Sequence, residues 1–236
     1  MTRTLNILIA CEESQTICVA FRSLGHRAFS CDLQECSGGH NEWHIKRDCL
    51  EILDGDCDFL TSDGNHHSQT GQWDLIIAHP PCTYMSKAGA RWMYPKAGVI
   101  DPERLKLALE AKRFFDLCRN ARCEHIAVEN PRPLKVVNLP KSSQVIQPYQ
   151  FGEPFSKATC LWLKGLPLLK PTDILSEHQP FLPSNITGAK RGQKWSRGVA
   201  HNAKAASKTF KGIASAIAKQ WSDYILNNNN NGPQIH

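Results

Sequence analysis

The sequence has no apolar run near the roughly 20 residues of a membrane span, and Leu75-Ile76-Ile77-Ala78 is typical of its longest ones. It also lacks the apolar core and cleavage site of a signal peptide. Met1-Thr2-Arg3-Thr4 leads straight into a short strand-like run from Leu5 to Ala10, so a cytoplasmic protein with no membrane partner is expected. No Cys-x-x-Cys occurs among the ten cysteines, and the closest pairs, Cys31/Cys36 and Cys118/Cys123, have no matching His or Cys pair at zinc-finger spacing. A 26.4 kDa chain with irregular cysteine spacing is not a small disulfide scaffold. The thiols therefore read as small buried hydrophobes in a reducing compartment, and no metal is expected. Nor is there an internal repeat. The 236 residues, 41% apolar and 21% charged, exclude wholesale disorder and suit one well-packed domain.

Acidic residues are missing from one stretch in particular. From Ser184 to Ser222 there are eight Lys/Arg and no Asp or Glu, whereas the rest of the chain has 20 basic and 22 acidic residues. The whole net charge of +6 thus belongs to the C-terminal region. Clustered cations neutralise phosphates and release counterions, which is the sequence-independent part of nucleic-acid affinity. Lys190, Arg191, Lys194, Arg197 and Lys204, interleaved with Trp195 and three glycines, are the expected DNA contacts in a basic loop at 184–207.

The hydrophobic pattern alternates short apolar runs with helical periods, which predicts an α/β fold with a doubly wound, mostly parallel sheet. Strands are expected at Leu5–Ala10, Arg27–Cys31, Trp73–Ala78 and Ile126–Val128. A helix capped by Ser14 runs to about Leu24, and a longer one covers Asp101 to Arg122 with Leu105, Leu109 and Phe114 as its core stripe. Val145–Phe151 and Thr159–Leu163 form a C-terminal antiparallel hairpin, and a last amphipathic helix covers Ser207 to Leu226. One domain over residues 1–226 and a disordered tail at 227–236 complete the expected organisation, and a monomer is expected.

Ligands of open α/β sheets bind beyond the carboxyl ends of the strands. Four polar clusters fall there: Cys11-Glu12-Glu13-Ser14, Asp32, His79-Pro80-Pro81-Cys82 and Glu129-Asn130-Pro131. A carboxylate ending the second strand, as Asp32 does, accepts both hydroxyls of a ribose, and Asp48 suits an adenine amino group. Pro80 and Pro81 remove backbone donors and fix φ, making a rigid turn that holds Cys82 outward. Glu129, at the next strand end, can reach the Watson–Crick edge of a base. His79, three residues before Cys82, is expected to lower its thiol pKa.

A strand followed by Pro-Pro-Cys and, about 45 residues later, a strand followed by Glu-Asn resembles the cytosine-C5 DNA methyltransferases, in their compact, phage-type form. The similarity spans about residues 5 to 221. It implies a class I, Rossmann-like S-adenosyl-L-methionine-dependent methyltransferase acting on DNA. Cys82 would attack C6 of a flipped cytosine, with Pro81 beside it, and Glu129 would hold N3 and the exocyclic amine. Asp32 would bind the cofactor's ribose and Asp48 its adenine, with Cys11, Glu12, Ser14 and Pro80 lining the rest of that pocket. Lys157 falls in the region whose basic residues steady the catalytic loop, and Thr209–Trp221 resembles the closing helix.

Several positions depart from the family pattern. The glycine-rich loop after the first strand is replaced by Cys11-Glu12-Glu13-Ser14, so the free N–H groups of the Ser14-capped helix are expected to serve the cofactor. The Gln-x-Arg-x-Arg pattern is absent, leaving Lys157, and Pro131 stands third in Glu-Asn-Val. Only about 45 residues separate Leu163 from Thr209, where larger members carry a target-recognition domain. His79-Pro80-Pro81-Cys82 has neither the acid nor the aromatic residue of the amino-methyltransferases, which disfavours transfer to an exocyclic nitrogen. The rival readings are a methyltransferase-like DNA-binding protein without catalysis and an enzyme making another C5-pyrimidine modification.

Overall fold

The computed structural model describes residues 3–178 and 208–230, with the side chains of the last two left out. The basic residues Lys190, Arg191, Lys194, Arg197 and Lys204 lie outside the described residues, as does the end of the tail, 231–236.

The strands of the main sheet are β1 (Asn6–Ala10), β2 (Arg27–Asp32), β3 (His44–Lys46), β6 (Leu75–Ala78), β7 (Ile126–Pro131), β8 (Gln144–Ile146) and β9 (Thr159–Lys164). Two more, β4 (Cys57–Leu60) and β5 (His66–Gln69), form a small sheet of their own. The order in the main sheet is β3-β2-β1-β6-β7-β9-β8. Its first five strands are mutually parallel, and β9 runs antiparallel to both β7 and β8. This is a doubly wound α/β sheet whose chain direction of growth reverses between β1 and β6, closed at one edge by the expected antiparallel pair. β6 is buried along its whole length because helices cover both faces, which is why it reads as an unbroken apolar run.

Alternation along the strands feeds two cores. Ile7, Ile9, Leu75, Ile77, Ala127 and Leu161 pack under α1 (Thr16–Ser23) and α4 (Lys211–Asn230), against Phe21, Ile217 and Trp221. Leu8, Ala10, Ile76, Val128 and Trp162 face the other way, toward Phe115 on α3 (Pro102–Arg119). The short α2 (Ala90–Met93) lies on that side too and inserts Met93. Asp101 caps α3, accepting from the backbone N–H of Arg104 at 2.8 Å, and Pro102 occupies its first turn.

Three local expectations are corrected, and one element is new. The buried stripe of α3 is Ala108, Phe115 and Cys118, whereas Leu109 is exposed. Leu105 and Phe114 are half-buried against the same core, as expected, but Leu109 is turned about 100° from Ala108 to the side away from Phe115 and Cys118. The strand expected at Val145–Phe151 ends at Ile146, because Pro148 has no N–H to give to a ladder and opens a 3-10 turn (Pro148–Gln150). The last helix begins at Lys211 rather than Ser207 and continues through the asparagines to Asn230, so part of the segment expected as tail is helical. The antiparallel hairpin of β4 with β5 was not expected at all. Only Phe59 and Gln69 in it are buried, so no apolar alternation marks it.

Helix α4 docks through a glycine. A Cβ at Gly212 would stand 1.8 Å from the carbonyl oxygen of Phe151, backbone that has no rotamer to move. Gly212→Ala is therefore expected to push α4 off the sheet. The expected loss is about 1–3 kcal/mol of unfolding free energy, with a melting temperature lower by about 2–4 °C per kcal/mol. Thermal and urea unfolding measure both.

Candidate active site at the carboxyl edge of the sheet

The parallel strands bring their carboxyl ends to one edge, so Cys11, Asp32, Asp48, His79 and Glu129 share a rim of the sheet. β6 pairs with β7 through Ala78 opposite Val128, which sets His79 beside Glu129 one residue later. Alternation sends both side chains to the α1/α4 face. There His79 Nδ1 and Glu129 Oε2 are 3.1 Å apart, with side chains only 14% and 23% exposed.

The Cys82 loop is mounted on the end of β7. Asn130, buried, donates from Nδ2 to the carbonyl oxygen of Pro80 at 2.7 Å. The Cys82 carbonyl accepts from the N–H groups of Met85 and Ser86, and the following segment pairs with the one after β7 through Lys87 N–H to Arg132 O and Leu134 N–H to Met85 O. Arg104, from α3, donates to the Thr83 carbonyl at 3.0 Å and lies over the Tyr84 ring. Cys82 is half-buried, one of four cysteines in that state, while the other six are buried; all ten are free thiols. Burial, and after it the negative charge of Glu129, raise the Cys82 thiol pKa, with Lys157 offsetting part of the rise. This corrects the expected role of His79: its Nδ1 is engaged with Glu129 and does not lower the thiol.

A narrow cleft opens between the strand ends and α4. It is lined by His79, Glu129, Lys157, Lys208, Phe210 and Trp221 among others, and its free volume of about 20 Å³ is room for one water. Lys157 lies with its ammonium 5.9 Å from the centre of the Phe210 ring. Lys208 Nζ donates to Ser37 Oγ at 3.0 Å, drawing the start of the α4 segment to the loop after β2. At the other side of the undescribed stretch, His178 stacks on Tyr149 with ring centres 3.8 Å apart.

The loop between β1 and α1 differs from expectation. Ser14 does not cap the helix; its hydroxyl meets that of Thr16 at 3.2 Å, and the N-cap residue is Gln15 at φ 58°. The N–H groups of Ile17 and Cys18 donate instead to the two carboxylate oxygens of Glu12, at 2.7 and 3.2 Å. A carboxylate this deeply buried needs donors, and a helix N-terminus favours an anion. Burial raises the Glu12 pKa, while His79 and those two N–H groups offset part of the rise. Cys11 and Gln15 both have positive φ, near 60°. Left-handed backbone at an ordinary residue costs about 1–2 kcal/mol.

These observations bear on the cofactor that the resemblance implies. Asp32 and Asp48, expected to hold its adenosine, both stand on the rim with one oxygen engaged locally: Asp32 ends β2 and accepts from Gln34 N–H, and Asp48 stands after β3 and caps a 3-10 turn through Leu50 N–H. The α1 N-terminus, expected to serve the cofactor, is filled by Glu12. No group of three or more His, Cys, Asp or Glu among the described residues is placed to hold a metal ion, and no described helix is long and apolar enough to cross a membrane.

Sequence reasoning thus named Cys82, Glu129, Lys157 and Glu12, which the fold gathers, together with Cys11, Pro80 and Pro81 in the adjoining loops. It missed the partnership of His79 with Glu129 and the clamp by Asn130. Period-two counting along Leu75-Ile77-His79 and Ala127-Glu129 carries the first signal, once β6 and β7 are taken as neighbours. Compared with known proteins, the chain matches no family model and no curated protein sequence.

The His79 pair makes stability depend on pH. Burial works against the imidazolium, but the Glu129 hydrogen bond and charge, with Glu12 behind them, outweigh it and Lys157, so the His79 pKa is raised above 6.5. The folded state then binds more protons than the unfolded one above that pH. Its stabilising effect is complete below 6.5 and is lost as pH rises through the folded pKa. His26 and His67, lowered by burial, act only below 6.5. Urea unfolding is expected to give a free energy that falls as pH rises above 6.5. Glu129→Gln flattens that slope.

Proposed function

We propose that this protein is an S-adenosyl-L-methionine-dependent DNA cytosine-C5 methyltransferase of the class I, Rossmann-like type. The observation that carries the reading is the mounting of Cys82 and Glu129 on the adjacent ends of β6 and β7, tied together by Asn130 and the Pro80 carbonyl. The sheet order, with its antiparallel closing pair, and the acidic ends of β2 and β3 accord with it.

The chemistry follows from the residues. Cytosine C5 is a poor nucleophile, so Cys82, once its thiol proton has passed to solvent, bonds as thiolate to C6 and pushes electron density toward C5 and N3. Glu129 hydrogen-bonds the N3 and amine edge and supports protonation at N3. When bound, S-adenosylmethionine supplies an electrophilic methyl group on a sulfonium. Loss of the C5 proton to water and expulsion of the Cys82 thiolate then restore the aromatic ring. The base must leave the stack, at a cost of a few kcal/mol, before any of this begins. Phosphate contacts from the basic stretch offset that cost, and the described residues flanking it, His178 and Lys208, adjoin loops of the same rim.

One observation favours a second reading. Glu12 occupies the helix N-terminus, which suits a methyltransferase-like DNA-binding protein that no longer takes the cofactor. Calorimetry with S-adenosylmethionine separates the two.

Duplex DNA carrying 5-fluorocytosine, incubated with the protein and S-adenosylmethionine, is expected to give a covalent complex that survives denaturation. Cys82→Ser abolishes the complex, and Glu129→Gln slows methyl transfer to ordinary DNA by about 10²–10⁴-fold. Absence of adduct and of labelled methyl on DNA with the wild-type protein would sink the proposal. Neutralising Lys190, Arg191, Lys194, Arg197 and Lys204 is expected to weaken duplex binding at all sequences. It also flattens the dependence of log K on log[salt] by about 0.9 for each phosphate that is no longer neutralised, measured by fluorescence anisotropy across a salt series.

A further inference from the structure

We propose that His79 is a positioning residue for Glu129 and the reservoir of the proton that the site delivers to the base. The inference rests on the reading of the site given above.

The geometry assigns the two carboxylate oxygens different partners. Oε2 of Glu129 faces Nδ1 of His79 at 3.1 Å, which leaves Oε1 for the base. His79 is fixed independently of the carboxylate: its backbone N–H donates to the Ala10 carbonyl at 3.0 Å, and Pro80 after it is buried. A rigid imidazole holding one oxygen orients the other, as a hydrogen-bonded partner orients a catalytic side chain. Its Nε2 is buried without a hydrogen-bond partner among the described residues, so nothing described ties the ring to a competing tautomer.

Charged groups approach His79 from every element around it: Glu129 from β7, Glu12 from the β1–α1 loop, and Lys157 from the approach to β9. Lys208, ahead of α4, lines the same cleft. Two nearby carboxylates favour the imidazolium over the neutral ring. When Cys82 bonds to C6 and N3 becomes basic, the proton on Nδ1 passes to Oε2, and a turn of the carboxyl group about its Cγ–Cδ bond presents that O–H to N3. His79 is left neutral and Glu129 ionised. When the thiolate is expelled, the N3 proton returns by the same route, so the cycle consumes none. Glu129 alone offers only the proton it holds; the pair keeps one in place at neutral pH, where a carboxylate is normally empty.

The test joins two measurements. In the resting protein, ¹⁵N NMR of the labelled imidazoles is expected to show His79 titrating above 6.5 and falling in Glu129→Gln. In turnover, kcat for methyl transfer is expected to fall at high pH as His79 loses its proton. His79→Gln, which keeps a hydrogen-bond donor but no titratable charge, loses that limb. It lowers kcat by about 10- to 100-fold, within the usual span of acid–base catalysis, and leaves KM for DNA unchanged. If His79→Gln does not fold, Glu12→Gln is expected to shift the limb to lower pH by removing one of the charges that hold the imidazolium. A wild-type protein that methylates DNA with His79 titrating at or below 6.5 overturns the relay alone, as does a His79→Gln variant that keeps the limb. A wild-type protein that transfers no methyl group although His79 titrates high overturns the underlying reading, and the relay with it.

Discussion

The parallel pairing of β6 with β7 is the constraint on which the site depends. With Ala78 opposite Val128, His79 and Glu129 emerge side by side on the α1/α4 face. Asn130, on the opposite face, reaches back to the Pro80 carbonyl. A slip of one residue would send Glu129 to the other face and bring Asn130 to the cleft, because side chains alternate with a period of two. The slip is prevented from both sides of the sheet, since Ile76 and Val128 are packed in one core and Ile77 and Ala127 in the other. Hydrophobic packing in the middle of the strands thus fixes the polar geometry at their ends.

The electrostatics of the rim follow from that placement. Two carboxylates, an imidazole and a lysine meet where water is scarce, and each sets the charge of its neighbours. Glu12 lies far enough from solvent that it needs the α1 N–H groups, and it thereby occupies the place where an open helix N-terminus would attract an external anion. Cys82 sits at the edge of this charge system, protonated in the resting protein by burial and by Glu129. A thiol in that state attacks only after the surroundings change, which agrees with a site completed by its ligands.

Much of the fold was legible in the sequence. β1, β2, β6 and β7 are short apolar runs bounded by polar punctuation, and the closing pair is marked by β9, a run buried from Thr159 to Trp162 beside a three-residue β8. The β4–β5 hairpin was not legible, because its exposed positions hold Asp58, His66 and Ser68 and only Phe59 and Gln69 mark an inside. The cap of α1 was misread for a different reason. Ser14 is a good local cap, but a buried Glu12 with no other donor among the described residues takes the helix N–H groups through a longer reach. Local preference lost to the desolvation of a charge.

The sequence by itself determined which residues stand at strand ends, because strand periodicity and the Pro-Pro turn are local properties of the chain. Cys82, Glu129, Asp32 and Glu12 were placed at the rim on those grounds alone. Only the tertiary structure decided which of them meet. Contacts between residues 50 positions apart, such as His79 with Glu129 and Pro80 with Asn130, depend on strand order and register. These are set by the packing of two cores at once, and no local pattern encodes them.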